Sequence, residues 1–151
     1  MKIWVDADAC PTPIKEIIYR AANRTRIQTT LVANHHLKIP KSQFINFILV
    51  ESGFDVADDY IETQISPGDL VITNDLPLAS ASLDASAVAI STRGELFTQD
   101  NIKQKLNIRD FMDTMRASGI HTGGPAAMNQ ADIKSFADTF DKLLTQQTRN
   151  N

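Results

Sequence analysis

The chain has one cysteine, Cys10, in 151 residues. A lone thiol makes no intramolecular disulfide and supplies no structural zinc site, so neither staple underlies the fold. No apolar run approaches the roughly 20 residues needed to cross a bilayer, and the N-terminus enters a strand at once, without a signal-peptide pattern. A cytoplasmic protein is expected. Aromatic residues are few, at 7%, and Trp4 and most phenylalanines fall at expected core positions. The chain therefore lacks an interleaved aromatic and basic platform for stacking bases, which speaks against sequence-specific nucleic-acid readout. Internal repeats and low-complexity segments are absent too.

What is present, 42% apolar and 22% charged residues, reads as a soluble globular chain of one-domain size, expected to span 1–151. Its net charge of −3 is unevenly spread. Residues 1–50 carry seven Lys/Arg against three acids, and residues 51–75 carry seven acids and no base. An acidic patch beside a basic half suits a metal-dependent enzyme acting on a phosphate polymer; a solvated charged face is the plainer alternative.

Five short apolar runs are predicted strands: Lys2 to Asp6, Gln28 to Ala33, Phe44 to Val50, Asp69 to Thr73 and Ala87 to Ser91. Continuous apolar runs of this length suit parallel strands covered on both faces. Between them, Ile14, Ile17, Ile18, Ala21 and Ala22 recur at helical spacing, with Pro11 and Pro13 suited to a first turn. Ala57, Tyr60, Ile61 and Ile65 make a shorter stripe, with Asp55 as its cap. After the last strand, Thr98 and Asn107 are expected to cap two consecutive helices. The second of these would bury Ile108, Phe111, Met112 and Met115 and end at Gly119. A glycine-containing loop over 119–130 leads to a final helix over 131–147, opened by Asn129, with the stripe Ile133, Phe136, Ala137, Phe140, Leu143 and Leu144 and a frayed end beyond. The expected fold is an α/β three-layer sandwich with a mainly parallel central sheet and a helical C-terminal portion.

Two carboxylates, Asp6 and Asp8, follow the first strand, and Thr73-Asn74-Asp75 ends the fourth. If those strands are parallel neighbours, their carboxyl ends bring Asp6, Asp8 and Asp75 to one crevice, where ligands bind in open α/β sheets. Converging carboxylates repel one another unless a cation neutralises them, and hard cations such as Mg2+ or Mn2+ prefer oxygen ligands. Asp58, beside core-facing Ala57 and Ile61, is the candidate fourth ligand; capping and helix-dipole roles are the alternatives for Asp8 and Asp58. Thr73 and Asn74 are candidates for contacting substrate. Cys10 lacks a histidine partner and reads as a small buried side chain. His35 and His36 read as surface residues away from the acids. Thr122-Gly123-Gly124-Pro125 offers consecutive backbone N–H groups, with Gly123 and Gly124 as a candidate phosphate nest and a plain connector as the alternative.

Asp6-Ala7-Asp8-Ala9-Cys10-Pro11, Gly53 to Asp58, Asp69 to Ala79, Arg93-Gly94-Glu95-Leu96, Arg109 to Asp113 and Thr122 to Pro125 together resemble the YaiI/YqxD family of uncharacterised bacterial proteins. The match covers nearly the whole chain. His35-His36 departs from the pattern. That family is in turn similar to PIN-like nuclease domains, in which acids at strand ends hold Mg2+ or Mn2+ for phosphodiester hydrolysis. The resemblance implies a PIN-like fold and a nuclease-like hydrolase acting on RNA. Asp6, Asp8 and Asp75 would be catalytic; Asp6, Asp8, Asp58 and Asp75 would hold metal; Arg93, Arg109 and Arg116 would contact phosphate, or else lie on a solvated face. Two other readings stay open. Asp-x-Asp after a first strand is also the arrangement of haloacid-dehalogenase-like phosphatases, with Thr73 or Ser91 binding phosphate, although no Gly-Asp-x-x-x-Asp lies near Asp75. The other is a non-catalytic module that binds RNA or a nucleotide through the basic half.

Overall fold

The computed structural model describes residues 1–53, 56–117 and 128–149. The five apolar runs form β1 (Ile3–Asp6), β2 (Thr29–Ala33), β3 (Ile45–Leu49), β4 (Leu70–Ile72) and β5 (Val88–Ile90). Each lies within its expected span, trimmed at one or both ends. They pair in parallel, in the order β3-β2-β1-β4-β5. The helices are α1 (Thr12–Thr25), α2 (Val56–Gln64), α3 (Leu76–Asp84), α4 (Gln99–Ala117) and α5 (Gln130–Arg149).

Alternation along the strands assigns the layers, because successive side chains point to opposite faces. Ile3, Val5, Leu70, Ile72 and Ile90 pack with Ile14, Ile18 and Ala22 of α1 and with Phe136, Phe140 and Leu144 of α5. Trp4, Val32, Val71 and Ala89 face the other way, onto Ala57 and Ile61 of α2, Leu78 and Ala79 of α3, and Ile102 of α4. All four residues of β1 are buried, as befits a central strand covered on both sides. Among the described residues no helix is long and apolar enough to cross a membrane.

At the N-terminal edge of the sheet a buried acid is fully engaged. Asp69, 3% exposed, accepts hydrogen bonds from Lys2 N at 3.0 Å, Trp4 Nε1 at 3.1 Å and Ser66 N at 2.9 Å. These bonds stitch the start of β1 to the start of β4 and satisfy a carboxylate whose burial would otherwise be costly.

Three expectations change. The two helices expected after Thr98 are one, α4, because no proline or glycine interrupts 99–117 and mid-helix Asn107 is only a moderate helix former. Thr98 does cap it, exchanging bonds with Asn101 in both directions at 2.9 and 3.1 Å. Ile108 is not buried but 61% exposed, since Ile102 and Leu106 supply the packing of α4. Helix α3 has no clear apolar stripe in its sequence. It forms behind Asp75, which caps it by accepting from Leu78 N at 2.9 Å, with Pro77 in its first turn. The final helix opens on Asn129 as expected, where Asn129 and Asp132 cap each other at 2.9 and 3.1 Å, and it runs through Arg149, past its expected end at 147. Asp55, the expected cap of α2, and Gly119 lie outside the described residues.

The connection from β5 to α4 is clamped by α5. Gly94 has φ +83°, and a Cβ there would collide with the backbone of Ser135 and Phe136. Its carbonyl accepts from Thr139 Oγ1 at 2.8 Å, and Arg93 Nη1 donates to Asp132 Oδ2 at 2.5 Å. Gly94→Ala combines left-handed strain with a clash against main chain, and is expected to destabilise by about 2 kcal/mol or more. A lowered urea midpoint checks this; an unchanged midpoint contradicts it.

Candidate functional site

Strand register decides which side chains meet at the C-terminal edge. Val5 lies opposite Ile72, so one step further Asp6 lies beside Thr73. Thr73 Oγ1 donates to Asp6 Oδ2 at 3.0 Å and accepts from Asp75 N at 2.9 Å. Asp6 pairs with Val32, so two steps on Asp8 is level with Asn34. Both carboxylate oxygens of Asp8 accept from Asn34 N, at 3.1 and 3.0 Å. Ile72 pairs with Ile90, which sets Asn74 level with Thr92. Asn74 Oδ1 accepts from Thr92 N at 3.0 Å, and Nδ2 donates to Thr92 Oγ1 at 2.9 Å. Three ties thus join four strand ends, those of β2, β1, β4 and β5, with Asp8 carried on the 3-10 turn Ala7–Ala9 that follows β1.

The order of strands runs outward from β1 in both directions. The chain leaves β1 for the α1 face and leaves β4 for the α3 face, so a crevice opens between their carboxyl ends. Asp6 lies in it, 7% exposed. Its side chain also hydrogen-bonds that of Asp58, from the first turn of α2. A hydrogen bond between two carboxyl groups requires a shared proton. The Asp6 carboxyl is raised above its ordinary value of 3.8, first by burial, then by the nearby charges of Asp75 and Asp8. The hydrogen bonds from Asp58 and Thr73 pull the other way.

The four expected metal-site acids therefore play unequal parts. Asp6 and Asp58 touch; Asp75 caps α3, and Asp8 ties the β1 end to the β2 end. Both outer acids still bear electrostatically on Asp6. Among the described residues, no group of three or more His, Cys, Asp or Glu side chains stands ready to hold a metal ion.

His35 is not away from the acids. Its Nδ1 lies 2.9 Å from Asp8 Oδ1, with the ring about half exposed, because the same register that levels Asp8 with Asn34 brings the next residue to the crevice lip. Its neighbour His36 turns the other way and packs edge-on to Phe47 at 5.8 Å. Arg93 is paired with Asp132 of α5. Arg109 and Arg116 fall on α4 but their side chains lie outside the described residues, as do Gly123 and Gly124 entirely. Ser91 Oγ accepts from Arg93 N and Glu95 N at 3.2 and 3.1 Å, shaping the turn after β5. Cys10 is buried, and burial pushes its thiol up to about 12.

Beyond the Asn74–Thr92 tie lies a cleft of about 380 Å³. Leu76, Phe97 and Ile108 give it an apolar lining, and Arg93, Glu95 and Lys105 a charged one. Sequence inspection misses it, because its walls come from β4, β5 and α4 and only the fold unites them.

A doubly wound parallel α/β protein with an acidic crevice at its topological switch point is the class these features define. The chain belongs to the YaiI/YqxD family of uncharacterised bacterial proteins, whose model matches residues 4–146. It is 64% identical over 146 residues to a UPF0178 protein of Colwellia psychrerythraea, covering 97% of each chain. A UPF0178 protein of Shewanella loihica is 59% identical over 146 residues, again 97% of each. One of Hydrogenovibrio crunogenus is 54% identical over 149 residues, 99% of each. No solved structure matches the chain.

Two outcomes follow from the titrating groups. Because the folded protein holds the Asp6 proton above pH 3.8 while the unfolded chain releases it, the contribution of Asp6 is full below that pH and declines as pH rises through its folded value. Asp6→Asn keeps an acceptor for Thr73 and gains a donor for Asp58. In metal-free buffer it is expected to be more stable than the unsubstituted protein near neutrality, with a flatter pH dependence above about pH 4. Urea unfolding in chelator across that range checks it; equal stabilities refute it. Cys10 is expected to react with iodoacetamide at pH 8 on the order of a thousandfold more slowly in the native protein than in urea, which mass spectrometry measures directly.

Proposed function

We propose that the Asp6–Asp58 pair is the centre of a divalent-metal-dependent hydrolase that cleaves phosphodiester bonds, with RNA as its polymer. The observation that carries this reading is a buried carboxyl at the sheet's switch point, bonded to a second carboxyl and pressed by the charges of two more. Such a cluster holds a proton where a cation would be the better counter-charge.

The donors fit Mg2+ or Mn2+. They are hard oxygens, from Asp6 and Asp58 with the Thr73 hydroxyl alongside, whereas the one nearby thiol stays protonated. Two carboxylates suffice, because Mg2+ keeps several waters and takes further oxygens from substrate phosphate. Bound there, the ion would supply Lewis-acid polarisation of a phosphoryl oxygen and a water of lowered pKa. Thr73 fixes Asp6 by donating to Oδ2, while its own oxygen is fixed by Asp75 N–H. Asp75, held by its helix cap, accepts the proton of the attacking water. Asn74 and Thr92 hold the β4 and β5 ends in place around it.

A phosphatase with Asp6 as nucleophile fits less well. A nucleophilic carboxylate needs to be ionised and open to substrate. Asp6 is 7% exposed, raised in pKa and engaged by Thr73 and Asp58. Asp8, the general acid in that scheme, already accepts from Asn34 N, with His35 Nδ1 2.9 Å from its Oδ1.

Calorimetric titration with Mn2+ is expected to show binding that Asp6→Asn and Asp58→Asn abolish. Single-stranded RNA incubated with Mn2+ is expected to be cleaved, with a loss of at least about a hundredfold in Asp6→Asn and Asp75→Asn. Unaltered metal titration in the Asp6 variant, or cleavage that survives chelator, sinks the proposal.

A further inference from the structure

We infer that the cleft beyond Asn74 is a nucleobase subsite, which takes the base next to the bond being cut and so restricts the substrate to unpaired strands. The inference rests on the hydrolytic reading of the acid pair, and adds to it a second site with its own residues.

Position is the first support. Asn74 lines the cleft and lies in sequence between Thr73, which bonds Asp6, and Asp75, whose charge bears on Asp6. A ligand spanning both places needs a neutral ring joined to a phosphate by a short linker, as the ribose joins base and phosphate in a nucleotide.

Charge is the second support. The cations at the cleft already have partners: Lys105 Nζ lies 2.6 Å from Glu95 Oε1, and Arg93 Nη1 is bonded to Asp132. With each cation facing a carboxylate, the cleft offers no net positive field for a phosphate. It suits an uncharged ring with polar edges, which Glu95 and the paired cations can meet by hydrogen bonds.

The third support is an apolar surface left open. Ile108 is 61% exposed although Phe97, which shares the lining, is 4% exposed. Lys105 and Ile108 are three residues apart on α4, hence on one side of the helix, and both border the cleft. A flat ring resting on Phe97, Leu76 and Ile108 covers that surface. A base inside a duplex cannot enter such a cleft without leaving its stack, whereas an unpaired base can. The volume, about 380 Å³, lies at the small end of ligand pockets.

The test uses full-length Asp6→Asn protein, so that RNA is not consumed. Amide NMR spectra are recorded with adenosine, with uridine and with inorganic phosphate. Anisotropy is measured with a labelled single-stranded oligoribonucleotide and with its duplex, with and without the added exposed-site substitution Ile108→Glu. Either nucleoside is expected to shift the amides of Asn74, Leu76 and Lys105, and phosphate is not. The single strand is expected to bind more tightly than the duplex and to lose about tenfold in affinity on Ile108→Glu. Equal binding of both forms, or nucleosides that leave these amides unmoved, overturns the subsite, and would do so even if the unsubstituted protein cleaves RNA with Mn2+. Conversely, nucleoside shifts and strand preference without any Mn2+-dependent cleavage uphold the subsite and overturn the hydrolytic centre.

Discussion

One hydroxyl fixes the geometry of the acid crevice. Thr73 Oγ1 has a single proton, and because its oxygen accepts from Asp75 N–H, that proton is directed at Asp6. The threonine arrives beside Asp6 because β4 pairs with β1 in a register set by buried Ile72 and Val5. A slip of one residue would turn Ile72 to the wrong face and carry the hydroxyl away. Core packing and site geometry are therefore the same constraint, expressed at neighbouring positions, Ile72 and Thr73, at the carboxyl end of β4.

The strands were legible because each is a short apolar run, and the crevice acids because they immediately follow such runs. Asp6, Asp8 and Asp75 needed only the supposition that β1 and β4 are parallel neighbours, which the sheet satisfies. What sequence inspection missed depends on lateral register, which no single run encodes. Asn74 reaches Thr92 because residues equally far past paired strand ends are level, and His35 reaches Asp8 as the neighbour of Asn34, which is level with it. Helix α3 is hidden in an apolar, alanine- and serine-rich sequence without a polar face, and its cap, Asp75, is also a crevice acid. Asn107 is of a type that often caps, yet it lies inside α4, whose Ile102 and Leu106 pack against the core.

The acids divide into two kinds by what their oxygens already do. Asp75 and Asp8 each satisfy backbone N–H groups that would otherwise lack partners, so their replacement disturbs a helix start or a loop as well as the local charge. Asp6 and Asp58 face each other, and Asp6 does so under burial that raises its pKa. Folding tolerates this arrangement because the pair shares a proton and Thr73 donates to Asp6 as well. Asp69, at the opposite edge of the same sheet, shows the contrast: a carboxylate more deeply buried still, with three N–H donors converging on it.

The close seating of Gly94 on the Ser135 and Phe136 backbone carries a consequence for the order in which the protein is made. The whole sheet and the acid crevice are encoded before residue 91, but the turn carrying Arg93 and Glu95 is held by Asp132 and Thr139 of α5. During synthesis the ribosome therefore releases the segments that carry the acid pair before it releases the helix that fixes the cleft wall. Until α5 docks, the turn carrying Arg93 and Glu95 lacks its Asp132 and Thr139 partners and one face of the sheet lacks Phe136, Phe140 and Leu144, so the last-made helix completes both the cleft wall and the core beneath the crevice.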